Sequence, residues 1–222
     1  ALSLTFGEMT QQYAQHGADP TGLGRWIWSQ FTGRNAATTR IYTAYRPCKT
    51  KPEQLRTTYQ QHVRYFRSRG DDSCPRVAFD RDLVQELRSR LLSNERLVVM
   101  LDANQNVQSG SLGKALRDLN LRDGIFSLHP STKGPATYRF GSAPIDGIFI
   151  SPELSVLTAG WLAGADSPGD HRAGYIDVPW TALLGENRLR VSRPQVRRLT
   201  CAIPDAKRKY ITHLNKFMTD HR

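Results

Sequence analysis

Leu97-Val98-Val99-Met100-Leu101-Asp102-Ala103-Asn104 is an apolar run that stops on a carboxylate and a carboxamide. The run is too short for a buried helix, and polar residues bound it on both sides. It reads as a buried strand over Arg96 to Leu101. Asp102 and Asn104 stand two residues apart at the strand exit and project the same way. A strand of this kind needs an apolar layer on each face, and the flanking sequence supplies candidates. Upstream, Leu55, Tyr59, His62, Val63 and Phe66 recur at helical spacing, which predicts a helix over Pro52 to Arg69 with Pro52 in its first turn. Phe79, Leu83, Val84, Leu87 and Leu91 predict a second helix over Val77 to Leu92, and Leu112 to Leu119 reads as a third.

Further strands lie on either side. Thr38 to Tyr45 is β-branched and aromatic throughout. Trp26 to Phe31 alternates before it across the turn Gly33-Arg34-Asn35, so the two predict a hairpin. Leu2 to Phe6 alternates like a strand end, Gly17 to Gly24 reads as a loop, and Ile145 to Ile150, Val156 to Leu162 and Ala173 to Val178 read as later strands. Strands, then two consecutive helices, then strands again predict an α+β layered domain with helices outside its sheets. No apolar run approaches the roughly 20 residues of a membrane span, so a membrane-spanning helix is excluded. Cys48, Cys74 and Cys201 are odd in number and widely spaced, which suits neither a disulfide framework nor a zinc site and fits an intracellular compartment, with a nuclear one open.

The 222 residues carry 31 Lys and Arg against 20 Asp and Glu, a net +11, and the excess is unevenly placed. From Asn187 to Arg222 there are ten basic and two acidic residues, so 1–186 holds only a net +3. A basic segment points to nucleic acid or another polyanion, or else to a solvated linker. Arg188, Arg190, Arg193, Arg197 and Arg198 form its Arg-rich part and are the candidate nucleic-acid contacts. After Pro204, the spacing of Tyr210, Ile211, Leu214, Phe217 and Met218 predicts an amphipathic helix. Residues 1–186 are read as one domain and 187–222 as linker plus helix. An Ala start and an end inside a helical pattern suggest a fragment of a longer protein that continues into further domains.

Polar clusters sit at the strand ends. Tyr45-Arg46-Pro47 ends one strand and Asp102-x-Asn104 the next. Asp146 lies in a third, and Asp170-His171 enters a fourth. Singly these are turn formers or satisfied polar residues. Converging on one edge, they would present a phenol, three carboxylates, an amide and an imidazole. That set suits metal-assisted hydrolysis of a phosphate ester, with carboxylates for a hard cation and a His held by an Asp.

The order of these clusters resembles the endonuclease/exonuclease/phosphatase superfamily. Thr43-Ala44-Tyr45-Arg46-Pro47 is similar to its Tyr-x-Pro-Asn, and Leu101-Asp102-Ala103-Asn104 to its Gly-Asp-Phe-Asn. Thr137-Tyr138 is similar to its Thr-aromatic pair, Ile145-Asp146-Gly147-Ile148 to its Arg-Ile-Asp-Tyr-Ile, and Gly169-Asp170-His171-Arg172 to its Ser-Asp-His. The resemblance covers about Leu2 to Pro179. It implies a four-layered α/β sandwich, here partial with the N-terminal strands missing, and a Mg²⁺ or Mn²⁺ cofactor.

Residue by residue, the resemblance implies that Tyr45 bonds the scissile phosphate. Asp102 would activate water or protonate the leaving oxygen, and Asn104 would hold the nucleophile. Asp146 would orient His171, His171 would contact the phosphate, and Asp170 would help bind the metal. Cys48 stands where the family often has Asn, and Gly169 where it has Ser. The family's principal metal-binding Glu has no counterpart, since Glu8 matches a later strand, so this chain by itself is expected to be weakly active or inactive. The implied activity is a divalent-metal-dependent endonuclease on nucleic acid, DNA above all, from a retroelement-like protein. Two alternatives stay open: a phosphatase of lipid or inositol phosphates, and a non-catalytic nucleic-acid-binding remnant.

The tail has its own test. With three to five phosphate contacts, log K for duplex DNA should fall against log salt with a slope of about −3 to −4. Residues 1–186 should bind more weakly and with a shallower slope. Equal affinities and slopes in a salt titration of both chains would make the tail a linker.

Overall fold

The computed structural model describes residues 2–130, 133–167, 169–185 and 204–220. The chain divides into two units, Ala1–Arg188 and Leu189–Arg222. In the first, a six-stranded sheet is built from β1 (Tyr13–Ala18), β2 (Trp26–Thr32), β3 (Thr38–Tyr45), β4 (Arg96–Asp102), β5 (Arg122–Asp123) and β6 (Asp146–Ile150), in the order β1-β2-β3-β4-β6-β5. Only β3 and β4 are parallel, and they are joined through α1 (Thr58–Arg67) and α2 (Pro75–Leu92). A parallel pair needs such a crossover, whereas the β2–β3 hairpin needs only a short turn. β7 (Thr158–Trp161) and β8 (Gly174–Asp177) form a second, two-stranded antiparallel sheet. α3 (Ser111–Asp118) and α4 (Trp180–Leu184) complete the unit, and α5 (Pro204–Asp220) belongs to the second.

Strand alternation sorts β4 between two cores. Leu97, Val99 and Leu101 face Phe79, Leu83 and Leu87 of α2 and Leu112 and Leu116 of α3. Val98 lies on the opposite face with Ile148, Ile150, Leu154 and Ala159, and Met100, Trp161 and Ile176 pack against that second cluster. Each fully buried Leu or Phe contributes roughly 1.5–3 kcal/mol. The observed architecture is thus the α+β layering expected: helices, a mixed sheet, and a smaller sheet on its other face. Among the described residues no helix is long and apolar enough to cross a membrane.

Three arginines dock the sheet to its crossover. Arg25 is buried and donates to both oxygens of Asp19 at 2.7 and 2.8 Å and to Asp82 of α2 at 2.8 Å. Arg40 reaches Glu95 in a fork at 2.7 and 2.9 Å while lying over the Trp28 ring. Arg46 forks onto Asp80 of α2 at 2.6 and 2.7 Å. Such planar, bidentate pairs are the form in which a guanidinium tolerates burial.

Several elements differ from the sequence expectations. Leu2 to Phe6 is not a strand, and Leu2, Leu4 and Phe6 are exposed. β1 runs instead through Tyr13–Ala18 and takes in Gly17. It is an edge strand with nearly all its side chains exposed, so no alternation marks it. The first helix starts at Thr58, because the Thr57 hydroxyl caps it by accepting the Gln60 N–H, while Pro52 sits in the preceding turn. Pro at a helix start applies one helix later, at Pro75 of α2. β5 and α4, two and five residues long, are too short for a periodic signal.

The Asp19–Arg25 pair carries a stability prediction. Asp19→Ala leaves a buried guanidinium with one partner, and should lower the unfolding free energy by about 3–5 kcal/mol. Urea denaturation measures it, and a loss under about 1 kcal/mol would contradict the importance of the pair.

Candidate active site

Main-chain register aligns the site. Tyr45 of β3 pairs with Asp102 of β4, and Asp102 pairs in turn with Asp146 of β6. Directly opposed residues project to the same face, so the phenol and both carboxylates form one row across three strands. The row continues the face of Val98 and Met100. His171 joins it from outside the sheet, with Nδ1 at 2.9 Å from Asp146 Oδ2. A carboxylate acceptor places a proton on Nδ1 and leaves Nε2 without a partner in this bond. One ligand atom from each of Asp102, Asp146 and His171 lies within 4.8 Å of the others. A cleft of about 330 Å³ borders the row and is lined also by Trp161 and Arg172.

Asn104 sits at the exit of β4 in a left-handed conformation, φ 47°. Asparagine tolerates this better than most residues because its short amide bonds locally. Here the Asn104 N–H donates to Asp102 Oδ1 at 3.0 Å, and its side-chain amide donates to the Arg46 carbonyl at 2.7 Å. Arg76, in the first turn of α2, donates to the Asn104 carbonyl at 2.9 Å. Sequence reasoning missed Arg76, because its contact is to a backbone atom 28 residues away.

The charges interact. Burial, and then the neighbouring Asp146 and Asp170 charges, push the Asp102 carboxyl up to about 6, against the opposing hydrogen bond from Asn104 and the His171 charge. Burial pulls the His171 imidazole down, but the hydrogen bond and charge of Asp146, with Asp102 and Asp170 behind it, raise it above its ordinary value. Burial and the Asp102 charge raise the Tyr45 phenol, partly offset by bonds from the Cys48 backbone and the Asn104 amide. With its folded pKa above the unfolded one, Asp102 contributes stability that is present at acid pH and lost as pH rises through about 6.

Two facing carboxylates with an imidazole form an electron-rich set with uncompensated charge, which fits a divalent cation. Asp170 stands apart from this set. Its exposed carboxylate lines a second cavity, of about 420 Å³, with Tyr138, Arg139, His171 and Arg172. Arg139 and Arg172 are exposed cations at the edge of the site that the sequence did not single out. The structure therefore brings Tyr45, Asp102, Asn104, Asp146 and His171 together, with Asp170 at the margin. Arg188, Arg190, Arg193, Arg197 and Arg198 lie outside the described residues.

Neither a family model nor a curated protein matches the chain. Solved structures do. The 3′ phosphatase NExo from Neisseria, bound to a product DNA hairpin, matches at 15% identity and a TM-score of 0.52, over 76% of this chain and 72% of its own. An endonuclease/exonuclease/phosphatase from Bacteroides vulgatus matches at 11% identity and 0.48, over 76% and 67%. The human Nocturnin catalytic domain with bound sulfate matches at 20% and 0.44, over 68% and 53%. The chain spans about half of the Nocturnin domain and about seven tenths of NExo. It has the fold of the endonuclease/exonuclease/phosphatase type, which in NExo serves a 3′ phosphatase and 3′–5′ exonuclease.

Asp146→Asn removes a negative charge and the His171 acceptor together. The Asp102 pKa should fall from about 6 toward 3.8, and that of His171 toward or below 6.5. Titration by carboxyl ¹³C and imidazole ¹⁵N NMR reads both. An Asp102 value unmoved from about 6 would remove the Asp146 charge as a cause.

Proposed function

We propose that this chain is the catalytic part of a divalent-metal-dependent phosphodiesterase that cuts nucleic acid, with DNA as the preferred substrate. The observation that carries this reading is the single row of Tyr45, Asp102 and Asp146 with His171 hydrogen-bonded to its end. Asp102, with a carboxyl near pH 6, is suited to exchange a proton close to neutrality, as base toward water or acid toward a leaving oxygen. The Asn104 amide lies beside it to orient the nucleophile. His171, held by Asp146 and protonated on both ring nitrogens, would donate from Nε2 to a phosphoryl oxygen as charge builds there, and the Tyr45 hydroxyl would donate from the other end of the row. Asp146 would hold the cation through the carboxylate oxygen not bonded to His171, with water or substrate oxygens completing its shell and Asp170 reaching it through water. When bound, the metal polarises the phosphoryl oxygen and offsets the developing negative charge.

Arg139 and Arg172 favour a substrate with flanking phosphates, as a nucleic acid has. The basic segment after residue 186 supports the same preference and a place in a longer, retroelement-like protein. Removal of a terminal phosphate is the second reading, since the DNA-bound NExo relative is a 3′ phosphatase.

The test supplies supercoiled plasmid, a 3′-phosphorylated oligonucleotide and an inositol polyphosphate, each with Mg²⁺, Mn²⁺ or EDTA. Weak, metal-dependent nicking is expected, and EDTA should abolish it. Asp102→Asn and His171→Ala should each lower the rate by about 10² or more while the chain stays folded. Phosphate release from the inositol compound alone would change the substrate class. A folded chain that turns over none of the three would be a binding protein.

A further inference from the structure

We propose that Thr137 is the positioning residue that holds Asp146 and His171 in register with each other. The two side chains come from different sheets' surroundings: Asp146 opens β6 of the large sheet, while His171 precedes β8 of the small one. Their hydrogen bond spans 25 residues of chain, and neither β6 nor β8 is a ladder neighbour of the other. Something must set the spacing between them, and Thr137 touches both sides.

The Thr137 hydroxyl oxygen accepts two backbone N–H groups at once, from Ile145 at 2.9 Å and from Asp146 at 3.1 Å. A hydroxyl has the two lone pairs this requires. Its carbonyl accepts the Arg172 N–H at 2.7 Å, directly after His171 in the chain. The next residues extend the strap, since Tyr138 forms an antiparallel bridge with His171, and Arg139 donates its N–H to the Asp170 carbonyl at 2.7 Å. The strap is closed on itself by the Thr137 N–H, 3.4 Å from the Ala143 carbonyl. Thr137 has no exposed surface, so water cannot stand in for its oxygen. Its side chain thus fixes the backbone of Asp146, and its main chain fixes the segment that carries His171.

The inference uses the catalytic reading above only for its kinetic arm. Thr137→Val keeps the shape and removes the acceptor, while Thr137→Ser keeps the acceptor and removes a methyl group. In the Val variant the ¹H resonance of the His171 Nδ1 proton, shifted downfield by Asp146, should be lost or moved upfield, with the Ser variant at the native position. In the nicking assay kcat should fall roughly 10- to 100-fold for Val with KM within about threefold, and Ser should recover to within about threefold of native. A native resonance in a folded Val variant would overturn the assignment. So would a Ser variant that loses the resonance, which keeps the test decisive if Val does not fold. A chain that shows the expected resonance pattern but hydrolyses nothing would refute the proposed activity and leave the role of Thr137 standing.

Discussion

The site depends on the registers on either side of β4. Because side chains alternate along a strand, a slip of one residue in either ladder would send Tyr45 or Asp146 to the opposite face from Asp102. Burial on both faces of β4 makes such a slip costly, since Leu97, Val99 and Leu101 would leave one core and Val98 and Met100 the other. The far end of the ladder is pinned as well. Ser151 is buried, its hydroxyl accepts the Leu97 N–H at 2.8 Å, and its own N–H donates to the Leu97 carbonyl at 2.9 Å. Near the site, the fork between Arg46 and Asp80 ties the exit of β3 to the crossover helix. Apolar layering therefore sets the chemistry, through register.

Charge is handled in two ways. Arg25, Arg40 and Arg46 are consumed by carboxylates inside the fold, so these three guanidinium groups do not present a positive field to solvent. The row itself is negative, and a polyanion approaching it meets repulsion until a cation is present. Arg139 and Arg172 stand at the margin rather than in the row, where they can meet neighbouring phosphates without quenching the carboxylates.

What the sequence revealed follows from how each feature is encoded. Thr38 to Tyr45 and Arg96 to Leu101 were legible because burial on one or both faces forces composition. β1 was not, since an exposed edge strand leaves composition free, and the alternation in Leu2 to Phe6 misled for the same reason: no core faces it. Tyr45, Asp102, Asn104, Asp146 and His171 were legible as short motifs at strand ends. Arg76 was invisible and Thr137 had no role, because both act through backbone atoms whose proximity only the folded chain defines.

Position 104 satisfies two unrelated demands at once. Its backbone lies in a region where β-branched and bulky residues are strained, and where Gly, Asn and Asp are at home. Its side chain must also carry a donor to reach the Arg46 carbonyl, which removes Gly and ionised Asp. Asparagine meets both demands with a short, uncharged side chain. Chain geometry thus restricts the mutational freedom of this position, whichever phosphate ester the cleft receives.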